Sequence, residues 1–478
     1  MNAPRRHGRT ALRRATSTTV TTLVLVACAP AAAAWAQAPT VPAVPPQATT
    51  APMPVEQCLR WAYLSTARET HGATDGLSTN ALLALEPGPA AWARTVCAAA
   101  ARTSRPVGAV LASLHPEGST AAAGDAEALR LYGWGSGEAG ALGAGGEADQ
   151  AAPVEVVADQ GWTSVAAGLW HTAAIRADGT LWTWGRNDEG ELGDGTTVSS
   201  DEPIQVGSDH GWASVSVGDN HTVAVRSDGT LWAWGWNGFG QLGDGTTTDR
   251  PEPVQVGTRT DWAVTDAGAL HTLALTTDGT LWGWGWNGSG QIGDGTTDNR
   301  LEPTMVTSAT AWATVSAGAY YSAGIKTDGT LWAWGANESS QLGTETGPTQ
   351  LDPLQVGTDT WWASVSAGGS HTGAVTVDGA LWTWGDNAWG QLGDGGYVPA
   401  SPSPLEVVTD TAWATVSVSE YQHTAALKAD GTLWTWGRND LGQLGDATHD
   451  ARSEPVQVGT GTWVQVSAGA TRVFAVGP

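Results

Sequence analysis

Phenylalanine, methionine and cysteine are nearly missing from this chain of 478 residues, which holds 2, 3 and 3 of them. Globular cores normally draw on aliphatic side chains, Phe and Met, so the interior here must be filled by something else. Basic residues are also scarce, 22 Lys+Arg against 47 Asp+Glu, for a formal charge of -25. Such a surface repels phosphate backbones, which makes nucleic acid and anionic membrane poor partners. What is abundant is tryptophan and glycine, 28 and 63 residues, in a chain that is 41% hydrophobic. That apolar content excludes disorder for most of the length, and the bias requires that one Trp/Gly-rich motif be repeated.

The first fourteen residues carry Arg5, Arg6, Arg9, Arg13 and Arg14 with no acid. Next comes the apolar run "VTTLVLVACAPAAAAWA", which ends in the small-residue site "AWA" at Ala36. This order reads as a secretory signal over 1–36, with an apolar part too short for a membrane span. The segment holds five of the 22 bases and none of the 47 acids, so residues 37–478 carry 17 bases against 47 acids, a formal charge of -30. "LVAC", residues 25–28, also resembles a lipobox, which would anchor the chain through an acylated Cys28; the continuation of the apolar run past Cys28 fits ordinary cleavage better. Either route gives an exported protein, secreted or held at the cell envelope. In that oxidising setting Cys58 and Cys97 are expected to form a disulfide.

Residues 37–54 are rich in Pro, Ala and Thr and read as a linker. Residues 55–105 place apolar residues at helical spacing, giving a small helical segment, and 106–128 form a second linker. From 129 to 478 the chain is periodic. "LWTWG" begins at Leu181 and returns at Leu231, Leu281, Leu331, Leu381 and Leu433, with a degenerate "LYGWG" at Leu131. The second unit reads as strands at 162–168, 171–176, 181–185 and 202–206, with the Asp178-Gly179 pair as a hairpin turn. The proline of each "EP", at Pro203, Pro253, Pro303 and Pro455, is expected to start an outer edge strand. Seven such units predict an all-β fold: a seven-bladed β-propeller of four-stranded antiparallel blades. The first unit lacks its inner strands and the chain ends with the missing pair, "WVQVSAGATRVFAV", so a shared blade should close the ring.

The phrase "VGDNHTVAVRSDGTLWAWGWNGFGQLG", residues 217–243, carries a resemblance to the regulator of chromosome condensation 1 repeat family, covering about 129–478. The resemblance implies the propeller fold. The family's exchange factor for a nuclear small GTPase uses an inserted wedge and its chromatin binding uses basic surface; the uniform spacing and acidic charge here argue against both roles. A secreted bacterial β-lactamase inhibitor with the same repeats is a nearer analogue. It implies that such a ring can act by binding protein alone.

Catalytic and metal chemistry find little support in the repeats. His171, His221, His271, His371 and His423 occupy one place in five units, where Tyr321 and Arg472 stand in the others; a ring of equivalent positions spreads them apart, so packing or hydrogen bonding is expected. Asp194, Asp244, Asp294, Asp394 and Asp446 give one carboxylate per glycine-rich loop, which suits loop capping better than a calcium cage. No nucleophile elbow, phosphate loop or Cys/His pairing appears, so no enzyme activity, cofactor or metal is expected. Convergent polar groups in a central channel are likewise not expected from the repeat.

The paired tryptophans of the motif, such as Trp182 and Trp184, share a strand face and should fill the wedge between blades, each stabilising by more than about 2 kcal/mol. Other aromatics stand where sister copies carry none. Trp170, Trp236, Phe239, Trp286, Tyr320, Trp389 and Tyr397 fall on loops that should open on one face, the usual material of binding hot spots. The expected function is therefore an exported, non-catalytic scaffold for protein–protein interaction. An inhibitor of an extracellular enzyme and a carbohydrate-binding propeller share that signature.

Overall fold

The computed structural model describes residues 129–478 apart from 158–160, 307–310, 346, 398–399 and 408–411. The leader, both linkers, the helical segment, Cys28 and the Cys58/Cys97 pair lie outside the described residues.

In the unit running from 212 to 255, Asp228 Oδ1 accepts the Thr230 amide (3.0 Å) and hydroxyl (2.7 Å), and Gly229 takes a φ of +78°. This turn folds strand His221–Arg226 back on Leu231–Gly235, with Ala224 opposite Trp232 and Thr222 opposite Trp234. Trp212–Val217 adds on the inside and Arg250–Gln255 on the outside, giving a four-stranded antiparallel sheet. The outer strand begins at Arg250, upstream of the expected start at Glu252, and its register slips between Arg250 and Val254. Pro253 therefore lies within an irregular stretch of the strand. There its missing N–H interrupts no regular ladder.

Six sheets of this kind succeed one another along the chain, and we number them as blades I (162–205), II (212–255), III (262–305), IV (312–355), V (362–406) and VI (413–457). Blade VII is made from both ends of the ring: Gln465–Ala468 and Arg472–Gly477 pair with Arg130–Gly135 and Gln150–Glu155. The propeller is thus closed as the two incomplete units require. Extra bonds tie blade VII to blade I, where the Gln465 side chain accepts from Val165 N (2.9 Å) and donates to Val165 O (3.1 Å).

The core lies in the seams between blades. Val223, Val225, Leu231 and Val256 of blade II pack with Trp262, Ala274 and Trp284 of blade III, and the same pattern recurs around the ring. At the closing seam Phe474 of blade VII meets Trp184 of blade I edge-on at 5.9 Å. The two motif tryptophans share a face as expected but not a degree of burial. Trp234 is fully buried, whereas Trp232 is half-buried beneath the Arg226 guanidinium, 4.5 Å from its ring. The buried tryptophan of each third strand, the second of the motif pair, also reaches back one blade, as Trp284 Nε1 donates to Gln241 O at 2.9 Å. Gly243 (φ +73°) makes room for it: a Cβ there would stand 2.7 Å from Trp284 Nε1.

Candidate functional site

All five seam histidines are buried, and four of them bond to a hydroxyl of the next blade, while neither ring nitrogen of His423 has a hydrogen-bond partner. His171 Nε2 lies 2.8 Å from Thr222 Oγ1 in the next blade, and Thr222 Oγ1 donates to Glu191 O at 3.0 Å. With its proton spent on that carbonyl, the threonine hydroxyl must accept, so the histidine carries its proton on Nε2. His221 with Thr272, His271 with Ser322 and His371 with Thr424 repeat the contact at 3.1, 2.9 and 2.9 Å. Burial pushes the pKa of His171, His221, His271 and His371 down to about 3 and that of His423 to about 4. In blade IV, Tyr321 OH replaces the imidazole, donating to His371 O at 2.6 Å. In blade VII, Arg472 donates to Leu169 O at 3.1 Å.

The loop aspartates accept hydrogen bonds from their own loops, and Asp244, Asp294 and Asp446 each add an arginine. Asp244 Oδ1 accepts from Thr246 N (2.9 Å) and Asn237 Nδ2 (3.1 Å), while Oδ2 accepts from Arg250 Nε at 2.8 Å. These bonds hold the long loop in shape.

The loops before the second strand and after the third lie together on one face, joined by bonds such as Trp236 N to Asn220 O (2.8 Å) and Trp286 N to Leu270 O (2.9 Å). On this upper face the structure gathers four of the seven aromatics named from sequence. Trp236 meets Phe239 edge-on at 5.4 Å, Phe239 meets Trp286 at 6.4 Å, and Trp286 meets Tyr320 edge-on at 5.4 Å. The result is one continuous ridge across blades II, III and IV. Trp170 and Trp389 stand elsewhere on the ring and pair with cations instead, Arg186 at 5.8 Å and Arg438 at 5.1 Å. Tyr397 is exposed, and among the described residues none of these three shares a ring contact with the ridge.

A local rule explains which copies carry a ridge tryptophan. The Trp236 and Trp286 indoles lie over Gly238 and Gly288, where an added Cβ would fall 2.6 and 2.5 Å from Cζ2. Copies with arginine in the tryptophan's place carry aspartate two residues on, and Arg186–Asp188 and Arg438–Asp440 form ion pairs at 2.7 Å. Two copies pair Trp with Gly and two pair Arg with Asp at these positions, while the other three carry Ser136 with Glu138, Ala336 with Glu338 and Asp386 with Ala388. That signal was available in the sequence.

The sequence reading missed the acidic groups at the channel. The inner strands surround a channel of about 260 Å³ lined by small residues and by Ser216, Asp266, Ser316, Ser366, Ser417 and Glu420. Polar groups therefore do converge there, contrary to the expectation from the repeat. Most are structural: Ser316 Oγ accepts Ala367 N at 3.0 Å, and Asp266 does the same for Ala317 N at 2.9 Å. Two are different. Just past the inner strand, the seven copies read Leu169, Asp219, Ala269, Ala319, Gly369, Glu420 and Ala470. Asp219 on blade II and Glu420 on blade VI come from opposite sides of the ring, yet their carboxyl groups face each other within hydrogen-bonding reach. Burial raises both pKa values, and the charge of Asp219 raises that of Glu420 further. Tyr320 and Tyr421, 46% and 40% exposed, stand close enough that the same two carboxyls raise their pKa, after burial itself. Blade VI has one more residue in this loop than its sisters, and Gln422 takes a φ of +65° to accommodate it.

The profile of the RCC1-like domain matches residues 130–475. The chain belongs to this family. Among solved structures, human WBSCR16 aligns at 23% identity with a TM-score of 0.66, over 73% of this chain and 99% of that one. Yeast RCC1 (Prp20), crystallised with Kap60 bound to it, aligns at 21% identity and a TM-score of 0.66 over 73% and 89%. The structure of Prp20p from Saccharomyces cerevisiae, described with its binding properties to Gsp1p and histones, aligns at 22% and 0.66 over 73% and 92%. No curated protein matches this chain. At these identities the likeness to solved structures is one of fold, so the RCC1-like propeller is established while its ligand must be argued from the upper face.

Proposed function

We propose that this RCC1-like propeller is an exported, non-catalytic binding scaffold whose ridge of Trp236, Phe239, Trp286 and Tyr320 is the hot spot for a protein partner. The observation that carries this reading is the ridge itself, a run of touching aromatic rings on loops anchored in a closed ring of sheets. Packing between blades does not need these rings, because sister blades do without them. Aromatics presented rigidly lose little entropy on binding and supply hot spots of about 2 kcal/mol or more. The edge-on contacts give a stepped profile, which suits a protein surface better than the flat platform a sugar ring stacks on. Four histidines bonded into the next blade and aspartates that cap their own loops support a binding role without catalysis. The basic, then apolar, then small-residue leader supports export.

A pull-down from culture medium and envelope extract tests the reading. The variant Trp236→Ala, Phe239→Ala, Trp286→Ala should lose a partner that wild type and Trp389→Ala retain. Retention of every wild-type partner by the triple variant would show the ridge is not the binding surface.

A further inference from the structure

On the face opposite the ridge, beside the Asp-Gly turns, the first tryptophan of each motif pair meets the inner-strand tryptophan of its blade edge-on. In blades I, II, III, IV and VI a cation of the chain lies over this pair. Blade II shows the full arrangement. The Arg226 guanidinium lies 4.5 Å from the Trp212 and Trp232 rings and donates to Asp209, in the loop before Trp212, at 2.6 Å. Blade III has Thr276 in the arginine's place, and there Arg259 reaches in from the loop instead, 5.7 Å from Trp262 and 5.0 Å from Trp282. Where the first route to a cation is lost, a second supplies it.

Blade V has lost both. It keeps the two rings, Trp362 and Trp382, edge-on at 6.2 Å, and it keeps the loop carboxylate, with Asp359 at the place of Asp209. Thr376 stands where blade II has Arg226, and Asp359 stands where blade III has Arg259. Among the described residues no Arg or Lys lies over the Trp362–Trp382 pair. Trp382 is half-buried, Asp359 is exposed, and the neighbouring Trp361 is 39% exposed. Glu406 lies opposite Trp382 in register, where the sister outer strands carry Gln or Met.

We propose that Trp362, Trp382 and Asp359 of blade V form a seat for an arginine side chain of a protein partner, on the face opposite the aromatic ridge. The sister blades define the occupant. The same pair of indoles holds the chain's own guanidinium or ammonium elsewhere on the ring, so the electron-rich faces in blade V suit a cation. Arginine fits this place best, because its planar guanidinium lies against an indole and gives a carboxylate its N–H groups at the same time, as Arg226 does with Asp209. Trp361 offers exposed apolar area beside the seat for the residues that flank the arginine. The acidic chain, at -25 overall, steers a basic partner toward it. This surface is separate from the ridge and does not depend on what the ridge binds.

NMR titration of the full chain with Nα-acetyl-arginine methylamide and its uncharged citrulline analogue tests the seat, read at the Trp382 indole signal, which Trp382→Phe identifies. The signal should move saturably with the arginine compound, and the citrulline analogue should bind about tenfold more weakly. Asp359→Arg copies Arg259 of blade III, so the chain would fill its own seat and arginine affinity should fall about tenfold. Asp359→Asn leaves the seat open without its charge and should cost about threefold. Both changes fall on an exposed loop residue, so the melting temperature should stay at the wild-type value. Asp298→Arg makes the same change of net charge on an exposed loop of blade III and should bind arginine as wild type does. No saturable shift, equal binding of the two compounds, or undiminished binding by Asp359→Arg would overturn the proposal. So would an equal loss in Asp298→Arg, which would reduce the effect to overall charge.

Discussion

The seams between blades and the upper rim are written by the same seven copies, but they use repetition in opposite ways. In a seam, one buried tryptophan, one imidazole or its substitute and one hydroxyl recur from blade to blade, so each contact is supported by its neighbours. On the rim, the positions beside the motif differ from copy to copy, and what matters is which unlike residues the ring brings together. Asp219 and Glu420 are two hundred residues apart in sequence and face each other only because blades II and VI stand on opposite sides of one channel. Regularity builds the frame, and departure from it builds the candidate site.

The sharpest way to break this comparison is to truncate one tryptophan of each kind. Trp284→Ala should cost about 3–5 kcal/mol of stability, since a fully buried indole leaves a cavity in the seam. Trp236→Ala, half-buried on the rim, should cost under about 1 kcal/mol. Urea unfolding of the two variants compares them directly, and equal losses would erase the distinction between frame and rim.

Acid tests the seams next. Burial holds the folded pKa of His271 at about 3, below the ordinary 6.5. Its contribution to stability is therefore intact above pH 6.5 and is lost as pH falls toward 3, at about 1.4 kcal/mol per pH unit. Imidazole NMR signals of the five seam histidines should show no protonation between pH 8 and 5 in the folded chain. A mid-range titration by any of them would mean that its seam is open to water.

A smaller effect sharpens the comparison at one flawed copy. Glu191 stands where sister blades have Gln241, Gln291, Gln341, Gln391 and Gln443, and burial raises its pKa from 4.5 to about 7. Because the folded state favours the protonated form, the carboxyl's penalty is absent below pH 4.5 and grows as pH rises through 7. Glu191→Gln should stabilise by about 2 kcal/mol at pH 8 and by little at pH 5. Chemical unfolding at the two pH values checks this, and a gain independent of pH would refute it.

Much of the fold was legible because its cause is local and repeated. The Asp-Gly turn, the alternation in "LWTWG" and the near-constant spacing each act within one unit, and six complete units with two halves left over leave a closed ring of seven as the economical solution. The seam histidines were legible for the same reason, since equivalent places on a ring cannot converge. The outer strand was placed too late because a bulge is set by how the sheet edge pairs, which proline alone does not reveal.

The rim was legible only in part. Strand direction put the aromatic residues on one face, but it did not say that Trp236, Phe239, Trp286 and Tyr320 would touch while Trp170 and Trp389 would turn to arginines. The glycine at 238 or 288 and the aspartate at 188 or 440 decide between those outcomes, and both can be read once the copies are aligned. The meeting of Asp219 with Glu420 cannot be read that way. The sequence by itself determined the blade, its number and its closure, because these arise from local turns and a period. Only the tertiary structure decided which side chains meet across the channel, because that depends on the width of the ring and on one extra residue in the loop of blade VI.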